Sequence, residues 1–299
     1  MEFGKLSSLE NVSWNLPADD PLNLDFLKSL PNATGKAKFH IGAPAWGHKQ
    51  WLGKIYPPGT KPTEFLTHYA KNFNCIELNT THYRIPTEAQ VSQWKSQVSK
   101  DFIFCPKLLQ EISHSLMGMA DEAALKEWWQ SLEFFGENLG PTFVQFPPHF
   151  TYANKNDLFY FLQKWPKAFP LCLEFRHTSW FHQGHVLPAL TKFLQDNHIG
   201  LVITDTAGRR DVVHTSISAP YTFIRFVGNT LHPTDYERAA AWADRLHEWQ
   251  SQGLQHVFFI IHQPDDFASP EMADFVISKF NETANAGLLP IQFMAFPGL

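Results

Sequence analysis

Val257-Phe258-Phe259-Ile260-Ile261-His262 is apolar at five consecutive positions and polar only where it ends. A half-exposed strand alternates apolar with polar residues. An unbroken run instead describes a strand covered on both faces, the environment of a parallel sheet packed between helices. The run is also far too short to cross a bilayer. Seven others read the same way: Phe39–Ala43, Cys75–Asn79, Phe102–Lys107, Thr142–Phe146, Leu171–Phe175, Gly200–Asp205 and Tyr221–Phe226. Helical patterns fill most of the intervals, at Thr63–Asn72, Thr87–Val98, Asp121–Leu139, Lys155–Trp165, Val186–Asn197 and Asp235–Gln252, with Glu271–Phe280 after the last run. Thr87 followed by Gln90 makes a capping box, and Asp121 precedes a stripe of Leu125, Trp128, Leu132 and Phe135 at helical spacing.

Eight parallel strands joined by crossovers close most economically into a (β/α)8 barrel of the TIM type. An open doubly wound sheet is the rival. No strand is followed by a G-x-G-x-x-G turn, which removes the dinucleotide-binding version of that rival. Two units are irregular. Residues 42–59 intervene before the first helix, and Thr206–Pro220 carries no clear helix in the sixth unit.

The 299 residues are 44% hydrophobic, enough to bury a sizeable core, and show no internal linker that would divide residues 37–299. Residues 1–36 are polar and irregular apart from one amphipathic patch, Leu22–Leu30, and read as an extension or lid laid over the main domain. A formal net charge of -5 gives no broad basic field for gripping a phosphate backbone. Cys75, Cys105 and Cys172 each lie inside an apolar run, as core residues do, rather than in a disulfide or zinc pattern. With no signal peptide at the start, the expected location is the cytoplasm.

In a parallel barrel the strand C-termini and the loops after them form one mouth, so polar residues that close apolar runs converge there. Glu77, Glu174, Asp205 and Lys107 are the candidates for proton-transfer chemistry, because clustered carboxylates and amines at such a rim shift one another's pKa. Asn79, Tyr83, Arg176, Arg225, Trp46, Gln145, His177, Trp180 and His262 are the candidates for holding a substrate. Arg225, between Ile224 and Phe226, is the hardest to explain as packing, since a guanidinium inside an apolar strand needs a planar anionic partner. The competing reading for Glu77, Glu174 and Arg176 is a buried structural ion pair.

A carboxylate-rich divalent site from Glu77, Glu174, Asp205 and His262 is the metal-assisted alternative. No H-E-x-x-H or C-x-x-C motif supports it, and no metal ligand or cofactor is assigned. A G-x-S-x-G elbow and a P-loop are absent too, which argues against serine-hydrolase and P-loop chemistry. The leading expectation is an enzyme acting by acid/base chemistry on a small polar, anionic or phosphorylated molecule. A metal-assisted hydrolase and a non-catalytic binding protein are the alternatives.

Ile41-Gly42 through Trp46, Trp51, Gly53 and Tyr56-Pro57, then Glu77-Leu78-Asn79 with Tyr83 and Pro86, Lys107, Gln145-Phe146-Pro147-Pro148, Glu174-Phe175-Arg176-His177-Thr178-Ser179-Trp180, Asp205, and Arg225 with Gly228 follow one another in this order. That series resembles the YecE-like family, DUF72. The resemblance implies a TIM-barrel-like fold and a bacterial cytoplasmic protein, and it implies no reaction. The chain departs from the family pattern at Gly42-Ala43-Pro44-Ala45-Trp46, where Gly-Thr-Ser-Gly-Trp is usual. It departs again at Ile260-Ile261-His262, where Phe-Asn-Asn is usual, and at Val227, where His is usual.

Overall fold

A computed structural model describes residues 4, 6–31, 35–115 and 122–295. Asp121, expected to start a helix, lies outside the described residues, as do 1–3, 5 and 32–34 of the extension. All eight expected strands form: β1 (Lys38–Gly42), β2 (Cys75–Leu78), β3 (Ile103–Pro106), β4 (Thr142–Gln145), β5 (Leu171–Glu174), β6 (Gly200–Asp205), β7 (Tyr221–Val227) and β8 (His256–His262). Six of them pair in the parallel order β1-β8-β7-β6-β5-β4, and β2 pairs with β3.

Backbone bonds close the ring at both seams. Asn74 N–H donates to Ile41 C=O at 3.2 Å and Glu77 N–H to Ala43 C=O at 3.3 Å between β1 and β2. Leu108 N–H donates to Phe143 C=O at 3.0 Å and Gly140 N–H to Phe104 C=O at 2.8 Å between β3 and β4. The sheet is therefore a closed, TIM-barrel-like barrel with no free edge.

The helices are α1 (Asn23–Ser29), α2 (Phe65–Tyr69), α3 (Glu88–Lys95), α4 (Gln110–Ser115), α5 (Glu122–Glu133), α6 (Lys155–Lys164), α7 (Pro188–Asp196), α8 (Pro233–Gln252) and α9 (Ser269–Ala284). Thr87 caps α3 as its sequence predicts, its hydroxyl accepting the Gln90 N–H at 3.3 Å. The expected helix ending at Leu139 stops at Glu133, because Gly136 takes a left-handed φ of 54° and starts a separate turn. The elements that the sequence does not announce include α4, a 3-10 turn at Ala207–Val212 in the sixth unit, and a small hairpin of Phe181–His182 with His185–Val186 inside the fifth crossover. Among the described residues no helix is long and apolar enough to cross a membrane.

Strand side chains alternate between two layers, and this alternation positions the site. Ile41, Ile76, Phe104, Ile203, Ile224, Phe226 and Phe259 point outward and pack with Trp242, Leu246, Val276 and Phe280 of α8 and α9. Cys75, Cys105, Phe143, Cys172, Val202, Phe223, Phe258 and Ile260 fill the interior, where the three cysteines are buried and free. The N-terminal segment is fastened to the barrel wall. Phe26, Leu27 and Leu30 join the outer core. Asn23 donates to Thr215 C=O at 2.7 Å and accepts the Ile217 N–H at 2.8 Å, and Asp19 accepts the Trp249 indole N–H at 2.8 Å. Gly4 reaches the barrel mouth, its carbonyl accepting the Gly208 N–H at 2.8 Å.

His40 stacks on Phe258 with ring centroids 4.5 Å apart, and both its ring nitrogens are buried without a hydrogen-bond partner. Burial first, then the charges of His256 and Lys38, lower its pKa to about 3. The unfolded chain takes up this proton near the ordinary histidine value, so stability is lost as pH falls from about 6.5 toward about 3. His40→Phe keeps the stacking and removes two unsatisfied atoms. It is expected to add about 1–2 kcal/mol of stability, and more at pH 5 than at pH 7.5, in urea denaturation at the two pH values. An equal or negative change at both would contradict this account.

Candidate functional site

The strand register brings interior polar residues to one level. Gln145 of β4 lies beside Glu174 of β5, and Arg225 of β7 lies between Thr204 of β6 and Ile260 of β8. Arg225 is fully buried, as are Glu77 and Glu174, which it bonds on either side. Its Nε donates to Glu77 Oε2 at 2.8 Å and its Nη2 to Glu77 Oε1 at 3.0 Å. Its Nη1 reaches both oxygens of Glu174, at 3.2 and 2.9 Å. One guanidinium is thus shared by two carboxylates, each engaged through both oxygens.

A second ring of donors completes the carboxylates. Asn79 Nδ2 donates to Glu77 Oε1 at 2.9 Å, and His262 Nε2 lies 3.1 Å from Glu77 Oε2. Gln145 Nε2 donates to Glu174 Oε2 at 2.8 Å, and Arg176 Nε to Glu174 Oε1 at 3.2 Å. Gln145 then turns its Oε1 to Lys107 Nζ, 3.0 Å away.

Burial alone would raise both carboxyl pKa values, but the Arg225 charge outweighs it. Glu77 is held well below the usual carboxylate range, with His262 adding to the effect, and Glu174 is brought to about 2, with Arg176 adding to it. Lys107 moves the other way for an amine. Burial first and the neighbouring Arg225 second lower it to about 8, against the pull of Glu77 and Glu174.

Above this floor opens a cavity of about 450 Å³ whose wall includes Asn79, Tyr83, Lys107, Gln145, Arg176 and His262, together with Gly4, Gln263 and Asp266. Six of the expected site residues therefore meet at one hollow. Gln263 is nearly buried; its Oε1 accepts the Thr230 N–H at 2.9 Å, which fixes the amide orientation, while its Nε2 is buried with no acceptor.

The other seven expected site residues lie elsewhere. Glu77 and Glu174, expected to move protons, lie under the floor with every oxygen engaged. Arg225, expected to hold a ligand, is enclosed by those two carboxylates and is not part of the wall. Asp205 follows the inward Thr204 and so faces outward, where Arg238 Nη1 at 3.0 Å, Trp242 Nε1 at 2.7 Å and Arg210 bind its carboxylate. The Arg238 and Arg210 charges outweigh its burial and lower its pKa. Trp180 is fully buried, stacked on Phe175 at 4.5 Å and donating to Phe150 C=O at 2.8 Å. His177 caps the turn Thr178–Trp180 by accepting the Ser179 N–H at 3.1 Å. Trp46 leans edge-on against Trp94.

The outward turn of Asp205 also dismantles the four-residue divalent set, since it lies on the opposite face of the sheet from Glu77, Glu174 and His262. Among the described residues no group of three or more His, Cys, Asp or Glu side chains is placed to hold a metal. Gly4 and Asp266 belong to the wall without any signal in the sequence, because irregular segments bring them there. Arg238 pairs with Asp235 at 2.8 Å three positions earlier, a spacing that reads as an exposed helix pair until the fold buries it.

The family described as "Protein of unknown function DUF72" matches residues 40–292. UPF0759 protein YecE of Escherichia coli (strain K12) is 28% identical over 262 residues, 82% of this chain and 93% of that protein. UPF0759 protein YunF of Bacillus subtilis (strain 168) is 26% identical over 152 residues, 48% of this chain and 52% of that one. Among solved structures, a DUF72 family protein from Enterococcus faecalis V583 superposes with a TM-score of 0.65 at 20% identity, covering 87% of this chain and 99% of its own. A DUF72 family protein from Thermotoga maritima MSB8 gives 0.65 at 22% identity, covering 82% and 99%. These likenesses support the barrel and carry no reaction.

Proposed function

The chain belongs to the DUF72 family, and from its own site we propose that it is an enzyme that binds a small anionic molecule at the strand C-termini and transfers a proton on it. The carrying observation is Lys107, a nearly buried amine brought to about 8 on the wall of a cavity that it shares with Arg176. An amine in that range exchanges a proton near neutral pH, as a general acid or base requires. Beneath, Glu77 and Glu174 carry two negative charges against one positive charge on Arg225, and Arg176, bonded to Glu174, supplies the second, so protonated Lys107 brings the further positive charge to a wall that it shares with Arg176 and Asp266. His262 shares a hydrogen bond between Nε2 and Glu77 Oε2, and the tautomer that donates there carries its lone pair on Nδ1. The unpartnered Gln263 Nε2 adds a donor that an acceptor-rich ligand would satisfy. The bacterial relatives and the free, buried thiols support a bacterial cytoplasmic location.

A thermal-shift series of small carboxylates and sugar phosphates against wild type and Lys107→Met tests the reading. A compound at 100-fold its Kd is expected to add about 2.7 kcal/mol to wild type and little to the variant. If no anion stabilises wild type, or if the variant responds equally, the reading falls.

A further inference from the structure

We propose that Lys107 forms a covalent imine with the carbonyl carbon of an oxo acid whose anionic group pairs with Arg176. The proposal rests on the anion-binding reading above and names the substrate class for that same cavity.

Three features favour an amine nucleophile over a simple proton carrier. Lys107 Nζ is fixed from one side, donating to Gln145 Oε1 at 3.0 Å, and Gln145 is itself fixed by Glu174 at 2.8 Å, so the nitrogen has a defined position at the wall. It is nearly buried and has the Phe143 ring as an apolar neighbour, with its nitrogen 5.8 Å from the ring centroid. It also sits beside Arg225 and within electrostatic reach of Arg176. Desolvation and a neighbouring cation are the two conditions that leave a lysine unprotonated often enough to attack a carbonyl. With a pKa near 8, about a tenth of the amine is neutral at pH 7.

The step balances without an oxidant or reductant. The Nζ lone pair forms the N–C bond as the carbonyl π pair moves to oxygen. Protons pass from nitrogen to that oxygen through cavity water, with His262 on the same wall, and the oxygen departs as water when the C=N bond forms. Arg176 explains the preference for an oxo acid. Arg176 lines the same cavity as the amine and its Nε is held by Glu174, which fixes the cation beside the place an oxo acid's anionic group would take.

The experiment incubates the full chain with glyoxylate or pyruvate, then with borohydride, and locates adducts by peptide mass spectrometry. Acetone serves as the neutral probe, and Lys107→Arg and Lys107→Met as variants. The expected result is a reduced-imine mass increase on the peptide carrying Lys107, formed with the oxo acids in large excess over acetone and lost in both variants. Lys107→Arg keeps the charge, so its loss of adduct with a retained thermal shift separates covalent chemistry from binding. Anion-dependent thermal stabilisation without a Lys107 adduct overturns the imine while leaving the binding reading intact. Adducts only on other lysines, or equal trapping of acetone, overturn the proposal as well. No stabilisation by any anion and no adduct overturns both.

Discussion

Arg225→Met is expected to lower stability by about 3–5 kcal/mol, the range for removing one partner from a buried ion cluster, and the thermal midpoint by roughly 5–10 °C. Without that guanidinium, Glu77 loses both of its guanidinium bonds, and the two buried carboxylates are left with the charge of Arg176, bonded to Glu174, against two negative charges. The wild-type pair contributes stability in the opposite sense. Folding holds Glu174 at about 2 and Glu77 well below its usual range. Their contribution is therefore present above the unfolded carboxylate value near 4.5, and it is lost as pH falls from there through about 2. For Glu174 alone that amounts to about 3 kcal/mol. The gap between wild type and Arg225→Met should accordingly be widest near pH 7 and narrow as the pH falls. Adding Glu77→Gln to the variant is expected to recover much of the loss, because Glu174 then keeps Arg176 as its partner and no carboxylate of the cluster is left without a cation. Guanidinium denaturation of the three proteins at pH 7 and pH 4 measures this. An Arg225→Met protein as stable as wild type at pH 7 would show that the glutamates are not held by this residue.

The eight strands were legible because each is apolar on both faces, and only a sheet covered on both sides demands that. The depth of each polar side chain was not legible, because it depends on which face of the closed sheet a position occupies. Glu77, Glu174 and Arg225 all project inside the barrel, and for the two glutamates a buried ion pair was one of the two readings the sequence offered. Nothing in the sequence said that the three satisfy one another below the cavity, since the pairing joins strands 148 and 51 residues apart. Lys107 and Gln145 look no different in the sequence from these buried groups, yet their side chains reach the cavity wall. The tryptophans misled for a related reason. Trp180 follows β5 as a pocket-lining residue would, but Phe146, Phe150 and Phe175 form a stack that takes it inward. With 15 His and 10 Trp in the chain, residue type alone had little power to sort site from core.

Asp205 gives the sharpest test of that distinction between faces. Thr204 lies level with Arg225 on the inner side, so the next residue along β6 must project toward α8. There Arg238, Arg210 and the Trp242 indole converge on it, and the Trp14 ring lies 4.9 Å from the Arg238 guanidinium carbon. Asp205→Ala leaves Arg238 with Asp235 alone as its paired carboxylate among these groups and removes the acceptor of a buried indole N–H. The expected cost is about 3–5 kcal/mol in chemical denaturation at pH 7. Below its melting temperature the variant should keep the anion-dependent thermal shift and the borohydride-trapped Lys107 adduct of wild type, since no atom of this cluster belongs to the carboxylates beneath the cavity or to the amine on its wall. A protein that instead stays fully stable and loses the adduct would place Asp205 in the chemistry, and with it the inner face of β6 would have to be reassigned. The stabilising role follows from geometry alone: a carboxylate that accepts from two arginines and an indole on the outside of the barrel fastens β6 to α8 and has no path to the hollow on the other side of the sheet.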